Sequence, residues 1–186
     1  TDEANIFADD QINTVVIATR HDTHAAFVVR ALEVGKHVFV EKPMALTLDE
    51  LTAIQTAYEG QLAQGRAPAV MVGFNRRFAP LVQRLQQLLK GLAGPKSLVY
   101  TVNAGAIPAE HWTQDRSVGG GRILGEACHF IDLARYLIGV PIAEWTVATL
   151  GARCGRAAAK DSATITLDFA DGSLATVHYL ATGGKV

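Results

Sequence analysis

Short apolar runs alternate with amphipathic stretches over the first 74 residues of the chain. Residues 14–18 (TVVIA), 37–40 (HVFV) and 69–72 (AVMV) are rich in β-branched and aromatic side chains. That is the pattern of strands covered on both faces, as in a parallel sheet. Between them, residues 23–33 and 48–62 carry apolar positions at helical spacing, and Gly35 closes the first of these stretches. Thr47 stands just before the second stretch and Glu50 three positions later, which predicts a capping box. Strands alternating with helices predict right-handed βαβ crossovers and therefore a parallel sheet.

After Phe74 the rhythm changes. A helix with Leu81, Val82, Leu85, Leu88 and Leu89 at apolar positions is followed by a strand near residues 97–102 and then a polar loop. A second strong helix runs over residues 122–138 and is ended by Gly139 and Pro141. Three strands close the pattern at residues 144–150, 162–169 and 173–180, and Asp171-Gly172 marks a hairpin between the last two. The expectation is a two-domain α/β chain, residues 1–74 holding a parallel sheet. Residues 75–186 would form an α+β domain with helices on one face of a largely antiparallel sheet.

Composition narrows the classes. The chain has 186 residues, 49% of them hydrophobic, and a formal net charge of −1, which describes a globular protein with no basic excess for nucleic acid. Its apolar runs are too short to cross a bilayer and its first residues lack the pattern of a signal peptide, so the expectation is no membrane partner and a cytoplasmic location. Cys128 and Cys154 are alone and far apart, which implies neither a disulfide framework nor a cysteine zinc site. His21, Asp22 and His24 make too small a set at a helix start to hold a metal, and none is expected.

The run VFV ends in Glu41, Lys42 and Pro43. Proline bars the α region to the residue before it, so Lys42 is held extended at the carboxyl end of a strand. In open α/β sheets that end is where ligands bind. Without that strand-end setting, Lys42 reads as a solvated surface lysine paired with Glu41. The glycine-rich G-x-G-x-x-G turn of a dinucleotide site is absent before Thr14. The cluster Gly119-Gly120-Gly121 with Gly125 follows a polar loop instead of a strand, and reads as a flexible start to a helix.

Several motifs in order carry a resemblance. Ala18-Thr19 with His24, Gly35-Lys36-His37-Val38, Glu41-Lys42-Pro43, Val72-Gly73-Phe74-Asn75-Arg76-Arg77-Phe78, and Gly120-Gly121 leading to His129 and Asp132 together resemble the Gfo/Idh/MocA oxidoreductases, two-domain enzymes that use NAD or NADP on sugars, inositols and related polyols. The resemblance covers nearly the whole chain. It implies that residues 1–74 are the remnant of a Rossmann-type domain whose first strands and glycine turn precede Thr1, and that the second domain continues past Val186.

It also implies roles. The family's catalytic lysine falls on Lys42, where an ammonium stabilises the negative charge on the oxygen as a hydroxyl loses its proton and its carbon gives up hydride. His129 matches the residue that takes or returns that proton. Thr19, Arg20, His21 and Glu41, beside Lys42, are expected along the cofactor, and Arg76 resembles an active-site arginine, with Arg77 the alternative. Trp112, with His111 and Arg116 nearby, is expected at the sugar by stacking, and Glu126 and Asp132 share a three-residue spacing with His129. Many relatives carry an aspartate four residues before the histidine; here that position is Gly125. Glu126 lies roughly 60° from His129 around a regular helix. The substitution leaves open a non-catalytic sugar- or nucleotide-binding member of the same fold. A sheet lacking its closing strand exposes an edge, so a homo-oligomer through the C-terminal sheet is expected.

Overall fold

A computed structural model of the chain describes residues 3–150 and 161–181. The contacts divide it into two compact units, Thr1–Gly73 with Trp112–Gly120, and Phe74–His111 with Gly121–Val186. The segment Trp112–Gly120, which a boundary near Phe74 assigns to the second domain, thus clusters with the first.

The first unit opens with a short helix α1 (Glu3–Ala8), which the sequence pattern did not predict. It buries none of its residues, but Ile6 and Phe7 rest on the first core and Phe7 stacks on Phe27. Then follow β1 (Thr14–Ile17), α2 (His21–Glu33), β2 (His37–Val40), α3 (Leu48–Ala63) and β3 (Val70–Val72). The three strands form a parallel sheet in the order β1-β2-β3. Its core combines Val15, Ile17, Val38 and Val40 with Ala25, Val28, Ala31 and Leu32 of α2. Hydrophobic burial of this kind contributes about 1.5–3 kcal/mol for each large side chain. Thr47 and Glu50 form the expected capping box at the start of α3. Lys36 is buried and its ammonium donates to the carbonyls of Asp9 and Ile12, which ties α2 to the turn before β1.

The second unit contains a 3₁₀ turn (Asn75–Phe78), α4 (Pro80–Lys90), β4 (Ser97–Asn103), a π-helical turn (Ile123–Ala127), α5 (Cys128–Ile138), β5 (Ile142–Thr149), β6 (Ala163–Phe169) and β7 (Leu174–Leu180). Its sheet order is β4-β7-β6-β5; β4 and β7 are parallel and the other pairs antiparallel. Strand alternation puts Ala163, Ile165 and Leu167 of β6 and Ala175, Val177 and Tyr179 of β7 on one buried face, against Ala127, Phe130, Ala134 and Ile138. The hairpin at Asp171-Gly172 forms as expected, with Gly172 at φ 83° and Asp171 accepting from the backbone of Ser173. The single long helix expected over residues 122–138 instead begins with the π turn. Its wider spacing shifts the residues before Cys128 out of phase with those after it, so the angle between Glu126 and His129 expected for a regular helix does not hold across the junction.

Candidate active site

In the first unit the candidate residues gather at the carboxyl ends of the strands. The sheet ladder continues past β2, with the Glu41 N–H donating to Ile17 O at 2.9 Å and the Gly73 N–H to Val40 O at 2.8 Å. Lys42 lies two residues past the end of the middle strand, and its bond to the buried Pro43 is cis. The Glu41 carboxylate lies over Gly73: a Cβ there would stand 3.0 Å from Glu41 Oε2, so glycine makes the room. Thr19 is exposed. Thr23 donates its hydroxyl proton to Arg20 O at 2.8 Å, so the 2.6 Å contact between the two hydroxyls has Thr19 as donor. Arg20, also exposed, takes the extended N-cap position of α2.

The loop Trp112–Gly120 is folded onto the start of α2. The Asp22 N–H donates to Val118 O, and His21 Nδ1 donates to Gly119 O at 2.9 Å, which leaves Nε2 as the unprotonated nitrogen of the neutral ring. Burial pushes the His21 pKa down, the hydrogen bond to Gly119 works against this, and the charges of Lys42 and His24 add to the lowering. Trp112 meets His21 edge to face, with ring centroids 4.8 Å apart. Asp115 shapes the loop: its carboxylate accepts from the N–H and hydroxyl of Ser117, which holds its pKa below the usual value, and its carbonyl accepts from Gly119 and Gly120. At Gly119 a Cβ would stand 2.3 Å from the Cα of Thr113, and Gly120 and Gly121 have φ of 77° and 79°. The glycines lead into a helix as expected, but through a defined turn that requires them.

In the second unit the groups are held by charge. Arg77 donates from Nε to Asp132 Oδ2 at 2.6 Å and from its Nη2 to Oδ1. The partnership raises the arginine's pKa and covers the carboxylate, whose side chain is 6% exposed. Arg76 lies 4.5 Å over the Phe130 ring. His129 is buried on the first turn of α5, with its ring edge to face with Phe74 at 6.3 Å. Glu126 sits in the π turn, where its Oε2 accepts from Arg122 Nη2 at 2.8 Å and from the Tyr179 hydroxyl. Arg122 is buried and also donates to Gly105 O. Desolvation and the Glu126 hydrogen bond and charge push the Tyr179 pKa well above its ordinary value.

The structure thus brings Thr19, Arg20, His21, Glu41, Lys42 and Trp112 to one end of the first unit. Arg76, Glu126, His129 and Asp132 all belong to the second. His111 and Arg116 are exposed. Of the two arginines, Arg77 is the one paired with a carboxylate. Arg122 and Tyr179 escaped notice, although a signal existed: alternation along residues 173–180 puts Tyr179 on the apolar face, where a phenol needs a partner for its hydroxyl.

Comparison with known proteins gives two further matches to this architecture. Residues 1–67 match the model of an oxidoreductase family with an NAD-binding Rossmann fold, and residues 82–182 match the GFO/IDH/MocA C-terminal domain. The chain belongs to the Gfo/Idh/MocA oxidoreductase family. Among the relatives of this Gfo/Idh/MocA chain, inositol 2-dehydrogenase 2 of Saccharopolyspora erythraea is 32% identical, over 99% of this chain and 52% of the relative. Inositol 2-dehydrogenase 2 of Paenarthrobacter aurescens is 30% identical, over 96% and 53%. The chain therefore spans about half the length of the curated relatives it matches. Among solved structures, an oxidoreductase domain protein from Kribbella flavida superposes with TM-score 0.82 at 27% identity, covering 100% of this chain and 53% of the other. A levoglucosan dehydrogenase complexed with NADH and levoglucosan gives 0.81 at 26%, covering 98% and 52%. Among the described residues no helix is long and apolar enough to cross a membrane.

Proposed function

We propose that the protein is an NAD- or NADP-dependent oxidoreductase that moves hydride between the nicotinamide and a secondary hydroxyl or ketone of a sugar, inositol or similar polyol. The observation that carries this reading is Lys42 two residues past the middle strand of a parallel sheet, at the end where such sheets bind ligands, in a chain of this family. The residues at that end suit the nicotinamide part of the cofactor: an ammonium, the Glu41 carboxylate over a bare glycine, and the exposed Thr19 and Arg20. This chain holds no glycine turn for the pyrophosphate, so the reading takes the chain as part of a longer protein.

The nicotinamide, when bound, accepts or gives the hydride. Lys42 stabilises the oxyanion of the reacting carbon's oxygen, and His129 takes or returns the hydroxyl proton. Thr19, Arg20, His21 and Glu41 border the cofactor. Arg76 also binds the cofactor, Trp112 stacks on the sugar, and Glu126 and Asp132 bind the substrate. The inositol dehydrogenases among the relatives and the levoglucosan complex among the structures support a polyol or sugar substrate. We assign a homo-oligomer to the second unit's sheet, where Val99, Trp145 and Val147 stay 71%, 67% and 47% exposed. Light scattering with size exclusion on the full-length protein tests that assignment.

The function is tested by assaying the full-length protein with NAD and NADP against a panel of inositols and sugars. Reduction of a nicotinamide by at least one polyol is the expected result. Cofactor binding without turnover on any of them contradicts the enzyme reading in favour of a binding protein.

A further inference from the structure

His24 takes no part in the chemistry proposed above, yet it is among the most deeply buried side chains, with 0% exposure. Its ring lies between two backbone carbonyls: Nδ1 is 2.8 Å from Pro43 O and Nε2 is 3.1 Å from Thr19 O. A carbonyl oxygen only accepts. A neutral imidazole has one N–H and one bare nitrogen, so it satisfies one carbonyl and turns a lone pair toward the other. Both contacts are hydrogen bonds at once only if both ring nitrogens carry protons.

We infer that His24 is a positioning residue: a buried imidazolium that ties the backbone leaving β1 to the backbone leaving β2 and so fixes the turn bearing Lys42. The two carbonyls it joins lie two residues beyond Ile17 and one residue beyond Lys42. The bridge supplies what the sheet ladder no longer does past Glu41, a cross-link between neighbouring strand ends. Two charge-assisted hydrogen bonds offset the desolvation of the cation. The adjacent ring of His21, 5.6 Å away, is biased toward its neutral form and so adds no second like charge. The inference rests on the reading of Lys42 as the charge-stabilising group, because positioning matters only for a group that acts.

The first test is ring-nitrogen NMR of the full-length protein labelled with ¹⁵N-histidine at neutral pH, with the His24 signals identified by their loss in His24→Gln. Two protonated ring nitrogens are expected, and one bare nitrogen overturns the inference. The second is His24→Ala, whose kcat should fall about 100-fold, the scale set by a small misplacement of a catalytic group, with KM changing less. Imidazole, which as its cation refills the site with two N–H donors, should restore turnover; 1-methylimidazole, with one at most, should not. Equal rescue by both compounds, or unchanged turnover in His24→Phe, also overturns it. If Lys42→Ala keeps full turnover while the two-proton signature persists, the reading of Lys42 has failed and the bridge has not.

Discussion

The two units hold their candidate groups in opposite ways. At the carboxyl strand ends of the first, histidines bond to backbone carbonyls, His21 to Gly119 and His24 to Thr19 and Pro43, as Lys36 does to Asp9 and Ile12 at the opposite end of the sheet. In the second, side chains hold one another: Arg77 pairs with Asp132, and Arg122 and the neutral Tyr179 hydroxyl both donate to Glu126. A carbonyl cannot be deleted by substitution, so a backbone-held group is lost only by changing the group itself or the path of the chain. A side-chain pair breaks from either side, and breaking it leaves a charge buried without its partner. The first unit is therefore sensitive to glycines and turns, and the second to its ion pairs.

The sharpest way to break the second unit is Asp132→Ala, which strands the Arg77 guanidinium. Because Arg77 is 31% exposed, the expected loss sits at the low end of the range for buried pairs, about 3 kcal/mol by urea unfolding. Adding Arg77→Met to Asp132→Ala should cost much less than the sum of the two single losses, and strict additivity would show that the pair is not coupled.

Next in size is Gly119→Ala, which targets the backbone-held loop. With Thr113 Cα 2.3 Å from the added methyl, the loop must move, for about 2 kcal/mol in thermal unfolding. A wild-type melting temperature would refute the tight turn. Gly60, whose added Cβ meets nothing within 4 Å, is the matched control.

Tyr179→Phe removes the hydroxyl that donates to Glu126 and should destabilise by about 1 kcal/mol at neutral pH. The sign with pH is fixed. The folded phenol ionises above its unfolded value of 10.0, so the unfolded chain releases its proton first. The stabilisation is complete below pH 10 and is lost as pH rises from there toward the raised folded value. Urea midpoints of the two proteins should therefore converge above pH 10, and a gap independent of pH would contradict this. The smallest effect expected is that of Thr47→Ala, which opens the α3 capping box for about 0.5–1 kcal/mol by the same measurement.

The same contrast explains what could be read in the sequence. The strand runs, the capping box and the Asp171-Gly172 hairpin are local patterns, and the structure contains each of them. Lys42 could be located because Pro43 and the run before it fix its place at a strand end. The π turn could not, since one extra residue in a turn leaves no mark in a 3.6-residue pattern, and with it went the phase relation of Glu126 to His129. The Arg77 partner of Asp132 and the Tyr179 partner of Glu126 lie 55 and 53 residues away in the chain, and no spacing encodes such pairs, whereas Arg122 stands four residues before Glu126, a helical spacing that can be read. The folding of Trp112–Gly120 onto α2 is likewise a long-range match, between Gly119 and His21, 98 residues apart.

In the proposed mechanism Lys42 supplies the charge that stabilises the reacting oxygen. The most direct test of that role is the single-turnover rate of hydride transfer in the full-length protein carrying Lys42→Met, measured with the best substrate from the polyol panel alongside cofactor affinity. The rate should fall by at least about 100-fold, the loss typical of removing one oxyanion-stabilising group, with cofactor affinity largely kept. A hydride-transfer rate equal to that of the unaltered protein would contradict that role.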